Sequence, residues 1–320
     1  MTLSLKIKTY SVTFIAIALF GLVKLPFQNH ILTQEHKANL LTETTYLGVE
    51  DQLEQQLALV TLGGLRSLVA AMLSVDAFEQ FMSNNWTYLE KRYKQMTSLV
   101  PNNNYYWETG AWHMAYNASS QVKSDPNLTP IEQKEGFLQW IKKGRHFMHK
   151  SIEKNPDVWI LQSKYGDMLS DIYRHPDFEK AAQAYHAAVE LGAPELTQRK
   201  EFYALARVPS QSREALTLGL KLFKDPTNHV PSVTCNIFAL ENKLDIPEKD
   251  RIPFNVLFPD KEQAIAQLTN QLYGNMRFPT NGVRAKLDEL EKEAKLNEQK
   301  MIPTQIKRLL PTNETKQPQK

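Results

Sequence analysis

His146 and His149 stand three apart on one predicted helix, the spacing at which two imidazoles can share a metal ion. The nearest carboxylate, Glu153, comes one turn later, and Phe147 and Met148 between the histidines belong to an ordinary packed helix. No metal site is expected. His113, inside AWHMAYN beside Trp112 and Tyr116, has the right chemistry for a general base, but on an apolar helix it reads as a hydrogen-bonded core group. Ser170 and Ser210 lack the G-x-S-x-G elbow that exposes a nucleophile. Cys235 lies among apolar neighbours and reads as a small hydrophobe. Carboxylates such as those of LDELEKEAK alternate with lysines as on a solvated helix face, and no short motif holds two of them across a sugar ring. The expectation is a protein that is no enzyme and needs no cofactor.

Aromatic residues offer more. Trp86, Trp107, Trp112, Trp140 and Trp159, with Tyr105, Tyr106 and Tyr116, crowd the first half of the chain. Most should pack between helices. Some are candidates to line a groove, together with Arg66 and Asn117 at the edges of apolar runs, where a long polar side chain must find a hydrogen bond.

The elements that would position these groups are helices. The chain has 320 residues, a net charge of +3 and only 12 glycines, about half of the usual usage near 7%. Neither G-x-G-x-x-G nor G-x-x-x-x-G-K-[ST] occurs, which removes the nucleotide-binding loops. The mild charge argues against nucleic acid. One cysteine excludes an internal disulfide and C-x-x-C zinc sites.

Tyr10 to Phe27 (YSVTFIAIALFGLVKLPF) is the one membrane-grade segment. Its apolar heart, Val12 to Val23, is shorter than the roughly 20 residues of a spanning helix, but Lys24 can snorkel and let Leu25 to Phe27 extend it. Lys6 and Lys8 favour a cytoplasmic N-terminus. A cleaved signal peptide shares the basic start, yet no small-x-small site follows. An uncleaved signal anchor is preferred to a cleaved signal or a buried helix, and places the remainder outside the cytoplasmic membrane.

Beyond a polar juxtamembrane helix the chain repeats a helix–turn–helix pattern. The clearest unit, Pro156 to Pro194, carries Tyr165, Gly166 and Leu169 on its first helix and DFEKAAQAYHAAVELGAP on its second. Ala181 and Ala188 flank Tyr185 there. This resembles a tetratricopeptide repeat, in which small residues admit close helices, an aromatic fills the gap and proline ends the hairpin. Earlier units place Leu73, Ala77 and Tyr93, then Trp107 and Ala111, at packing positions. In the second unit the first helix should reach about Asn117, before an insertion from Ser120 to Pro130. A fourth unit holds Tyr203-Ala204 and Ala215 to Leu222. Helices over Val233 to Leu244 and Lys261 to Asn275 follow, then a charged helix end from Glu289 to Gln299.

LGGLRSLVA, LVPNNNYYWETGAWHMAYNAS, YGDML, DFEKAAQAY and EFYALARVPSQSREAL together resemble a group of membrane-anchored tetratricopeptide proteins from Verrucomicrobia, Lentisphaerae and relatives. The likeness covers about Leu57 to Ile252. It implies the fold and the anchoring, and brings no catalytic residue.

The sequence therefore predicts an all-α superhelix of about four tetratricopeptide-like hairpins. Its expected organisation is a cytoplasmic N-terminus (1–9), an anchor (10–27), a juxtamembrane helix (28–61), repeats (62–228), a helical cap (229–302) and a frayed tail (303–320). In the tetratricopeptide family the second and fifth positions of each repeat tend to face inward. That count makes Tyr105, Glu108 and Ser163 groove candidates beside Arg66 and Asn117, and consigns Trp107 to packing. The expected role is a scaffold docking a peptide segment or partner protein in an envelope complex. Alternatives are a glycan-binding or glycan-processing protein, which calls for two coplanar exposed tryptophans near a carboxylate pair, and a structural subunit without a groove ligand.

Overall fold

A computed structural model describes residues 65–274 and 276–294. The anchor, the juxtamembrane segment and the tail lie outside these residues. Among the described residues the secondary structure is helical throughout, with no strand. No helix there is long and apolar enough to cross a membrane. Two compact units divide at Pro156/Asp157.

In the N-terminal unit, α1 (Arg66–Met82) and α2 (Trp86–Leu99) form a hairpin. Asn85 caps α2 by accepting from the Tyr88 N–H. α3 (Asn104–Trp112) runs through a π-helical segment, His113–Ala118, into α4 (Ser119–Ser124). The helix expected to end near Asn117 thus continues to Ser124. The insertion contributes its last turn and a short loop, in which Asp125 accepts from the Asn127 N–H at 2.9 Å. Thr129 and Glu132 then form a capping box, with Pro130 opening α5 (Pro130–Lys154). Such a box satisfies two otherwise orphaned N–H groups. α3 and α5 approach closely because Gly144 has no side chain: a Cβ there would meet Ala111 O at 2.6 Å and the Ala115 Cβ at 2.7 Å. Trp107 and Phe147 fill the remainder with ring centroids 4.8 Å apart.

The second unit comprises α6 (Trp159–Ser170), α7 (Phe178–Glu190), α8 (Glu195–Ala206), α9 (Ser212–Phe223), α10 (Pro231–Lys243), α11 (Phe254–Leu257), α12 (Lys261–Tyr273) and α13 (Val283–Ala294). One continuous apolar core runs from Leu169 through Tyr185, Phe202 and Ile237 to Leu268 and Leu290. This core continues across residues 228 and 229. Tyr185 explains the glycine on α6, since a Cβ on Gly166 would lie 2.6 Å from its ring. The charged helix end expected from Glu289 begins earlier, at Val283, because Val283, Leu287 and Leu290 form an apolar stripe that is buried.

Candidate functional site

The polar groups of the second unit gather on successive first helices. Asp167, near the end of α6, accepts from Lys200 Nζ of α8 at 2.8 and 3.1 Å. It also accepts from the Tyr185 hydroxyl at 2.9 Å, and Ser170 Oγ lies 3.0 Å from that same hydroxyl. Burial, and then the charge of Asp167, push the Tyr185 phenol well above its ordinary range, so it acts as a donor and not as a base. Further along α8, the Tyr203 hydroxyl lies 2.6 Å from Ser232 Oγ of α10. From α10, Asn236 Oδ1 accepts from Gln271 Nε2 of α12 at 3.1 Å. These cross-links span 33, 29 and 35 residues in turn.

The row ends at a cleft of about 450 Å3 between α10 and α12, lined by Ser232, Cys235, Asn270, Gln271 and Phe278 among others. At its margin the Arg207 guanidinium lies 3.7 Å from the Phe278 ring centroid and 5.1 Å from that of Phe178. Its Nε donates to Met276 O at 2.8 Å and its Nη1 to Tyr203 O at 3.0 Å. Burial lowers it to about 10, which still leaves it cationic at neutral pH. Burial raises the Cys235 thiol to about 12, and a thiol rather than a thiolate is a poor nucleophile. No histidine or carboxylate lines the cleft. The arrangement offers hydrogen bonds, one aromatic face and a fixed cation to a ligand.

In the N-terminal unit the π segment presents His113 and Asn117 together. Asn117 Nδ2 donates to His113 Nδ1 at 2.8 Å, which places the ring proton on Nε2. The imidazole packs 4.9 Å from Phe81 and 5.7 Å from Tyr93. Burial lowers it to about 4, so it is neutral at pH 7. Glu90 accepts from Lys143 and Lys94, both at 2.7 Å. Burial acts to raise this carboxyl, but the two ammonium groups outweigh it and hold it below its usual value.

The groove candidates are spread over both units. Arg66 opens α1 and is partly exposed, Tyr105 is 67% exposed on α3, Glu108 is half-buried on α3, and Asn117 is engaged with His113. Ser163 is 3% exposed in the second unit and presents no surface. Its small hydroxyl occupies a packed position of α6 that Asp167, one turn on, does not share. The expected packing residues Ala77, Tyr93, Trp107, Ala111, Ala181, Tyr185 and Ala188 are all buried, while Leu73 and Tyr165 are partly so. Trp107 Nε1 donates to Pro101 O at 2.7 Å.

His149 pairs with Glu153 at 3.2 Å. No group of three or more His, Cys, Asp or Glu residues able to hold a metal occurs among the described residues. All five tryptophans are described, and Trp112 alone is exposed. Its ring is stacked near Tyr116, 6.2 Å away at 18°. Lys143 Nζ covers the Trp140 ring at 4.2 Å.

Sequence reasoning missed Asp167, Lys200, Tyr203, Ser232, Asn236 and Gln271. The signal that could have found them is the recurrence of hydrogen-bonding side chains about one repeat apart on the first helices. Comparison of the chain with protein families, curated proteins and solved structures gives no match.

Proposed function

We propose that the protein is a non-catalytic, membrane-anchored helical-repeat scaffold that docks an extended peptide segment of a partner in a cell-envelope complex. The observation that carries this reading is the polar row across α6, α8, α10 and α12, which reaches solvent at Lys200, Ser232 and Gln271 and is buried at Asn236. Its cross-links recur at 33, 29 and 35 residues, close to the roughly 34-residue period of a tetratricopeptide array. In such arrays the stacked first helices form the concave binding surface. A peptide backbone laid there needs amide and ammonium groups at intervals, and Lys200, Arg207 and Asn270 supply them. The deficit of any nucleophile beside a base in the cleft favours docking over chemistry.

Anchoring rests on Tyr10 to Phe27, with its basic flank and missing cleavage motif. Intact-mass analysis of membrane-extracted protein tests it: a mature chain starting between Phe27 and His30 would remove the anchor, and protease-protected repeats would remove the export. Docking is tested by affinity capture from solubilised membranes, comparing wild type with Lys200→Glu and Asn270→Ala. Wild type should retain a partner that both variants lose. Equal capture by all three would contradict the groove.

A further inference from the structure

The outward face of α1 is largely apolar, with the exposed Glu79 as its one carboxylate. Leu65, Leu68, Met72, Val75, Phe78 and Met82 recur at steps of three or four residues and are 46–65% exposed. Ala70 and Ala77, on the other side, are buried. A stripe of this width on a single helix is the seam of a helix pair, and left bare it is an aggregation hazard.

We propose that residues 46–62 of the same chain cover it, lying antiparallel to α1 as the first helix of an additional hairpin. These residues lie outside the described part of the structure, and their sequence carries a matching apolar pattern. Tyr46, Val49, Leu53, Leu57 and Val60 also recur at steps of three or four, with Glu50, Asp51, Gln52, Glu54, Gln55 and Gln56 between them. Gly63-Gly64 joins this stretch to Leu65, and a loop of two to five residues suffices for a helical hairpin. Folding back about that turn sets Val60 against Leu68, Leu57 against Met72, Leu53 against Val75, Val49 against Phe78 and Tyr46 against Met82. The levels stay matched within one residue from end to end. Both stretches have 17 residues, about 26 Å of helix.

Other occupants fit less well. A bilayer surface favours an apolar face flanked by basic residues, but α1 carries Arg66 as its one cation against Asp76 and Glu79. A second copy must pair from solution, whereas the preceding segment is tethered two residues away, at an effective concentration in the millimolar range or above. The paired helix would turn its Glu and Gln side chains to solvent. Terminal units of helical arrays need such a polar outer face.

Engineered cysteine pairs in the full chain, with Cys235→Ala as background, test the proposal. Leu53→Cys with Val75→Cys is compared with Glu54→Cys plus Val75→Cys, using a short bismaleimide and intact mass. A second pair, Val49→Cys with Phe78→Cys, guards against one variant failing to fold. The expected result is an intramolecular cross-link in both apolar pairs, several-fold above the Glu54 control and independent of protein concentration. Cross-linked dimers through Val75 would overturn it in favour of a second copy. Separate labelling of the two cysteines without a cross-link would overturn it in favour of another protein or the membrane.

Discussion

Lys200 Nζ reaches both carboxylate oxygens of Asp167, at 2.8 and 3.1 Å, from the corresponding helix of the following hairpin. The same carboxylate takes the Tyr185 hydroxyl, so one side chain ties a core aromatic to the polar row. Each partner of the ion pair keeps about a third of its side chain in solvent. Water and salt screen such a pair, and its coupling should be about 0.2–1 kcal/mol. A double-mutant cycle with Asp167→Ala and Lys200→Ala, followed by urea denaturation, measures it. A coupling well above that range would mean that the row is a structural brace and not a surface held ready for a ligand.

Gly166 is the small residue that the Tyr185 ring requires. Gly166→Ala puts a methyl group 2.6 Å from that ring and should cost about 1–3 kcal/mol by overpacking. The same substitution in a Tyr185→Leu background should cost much less. Chemical denaturation of the four proteins checks the compensation.

The helix packing between Pro156 and Pro194 was legible because its signal is local. Ala181, Tyr185 and Ala188 recur at helical spacing beside a terminating proline, and each is buried. The helix read as DFEKAAQAYHAAVELGAP does begin there, with Asp177 capping α7 by accepting from the Lys180 N–H. Two features were not legible. The π segment at His113–Ala118 leaves no mark in the sequence, and the polar stretch from Ser120 reads as an insertion although the helix continues through it to Ser124. The polar row depends on partners about 30 residues apart, and a single Asp, Tyr or Asn on a helix looks like any solvated residue until its neighbour is in place. Ser163 fell on the counted groove position, yet the backbone turns it inward.

Trp107 and Tyr105 lie two residues apart and face opposite environments. Trp107 is 2% exposed and donates to Pro101 O, so Trp107→Ala should destabilise by about 3–5 kcal/mol. Tyr105 is exposed and makes an edge contact to Tyr106, so Tyr105→Ala should stay within about 0.5 kcal/mol. Thermal melts of the two variants decide it. An early melt for Tyr105→Ala would reverse the inside and outside of α3.

His113 gives the N-terminal unit an acid sensitivity with a defined sign. Its folded value, about 4, lies below the ordinary 6.5 because burial opposes the charge. Above pH 6.5 the imidazole is neutral in both states, and its contribution is complete. Between pH 6.5 and 4 the unfolded chain binds the proton and the folded one does not, so stability falls by up to about 3 kcal/mol and then levels off. The difference between wild type and His113→Gln, measured by denaturation across this window, should carry that slope. A difference independent of pH would mean that the imidazole titrates normally.

The docking account is tested most directly by photo-cross-linking in intact membranes. A photoreactive residue is placed at Asn270, on the rim of the cleft, and in a second protein at Gln183, exposed on α7. The account predicts that the Asn270 probe captures one partner protein, that the captured region maps to a single extended segment, and that the Gln183 probe does not capture it. The same products from both positions, or none from Asn270, would contradict it.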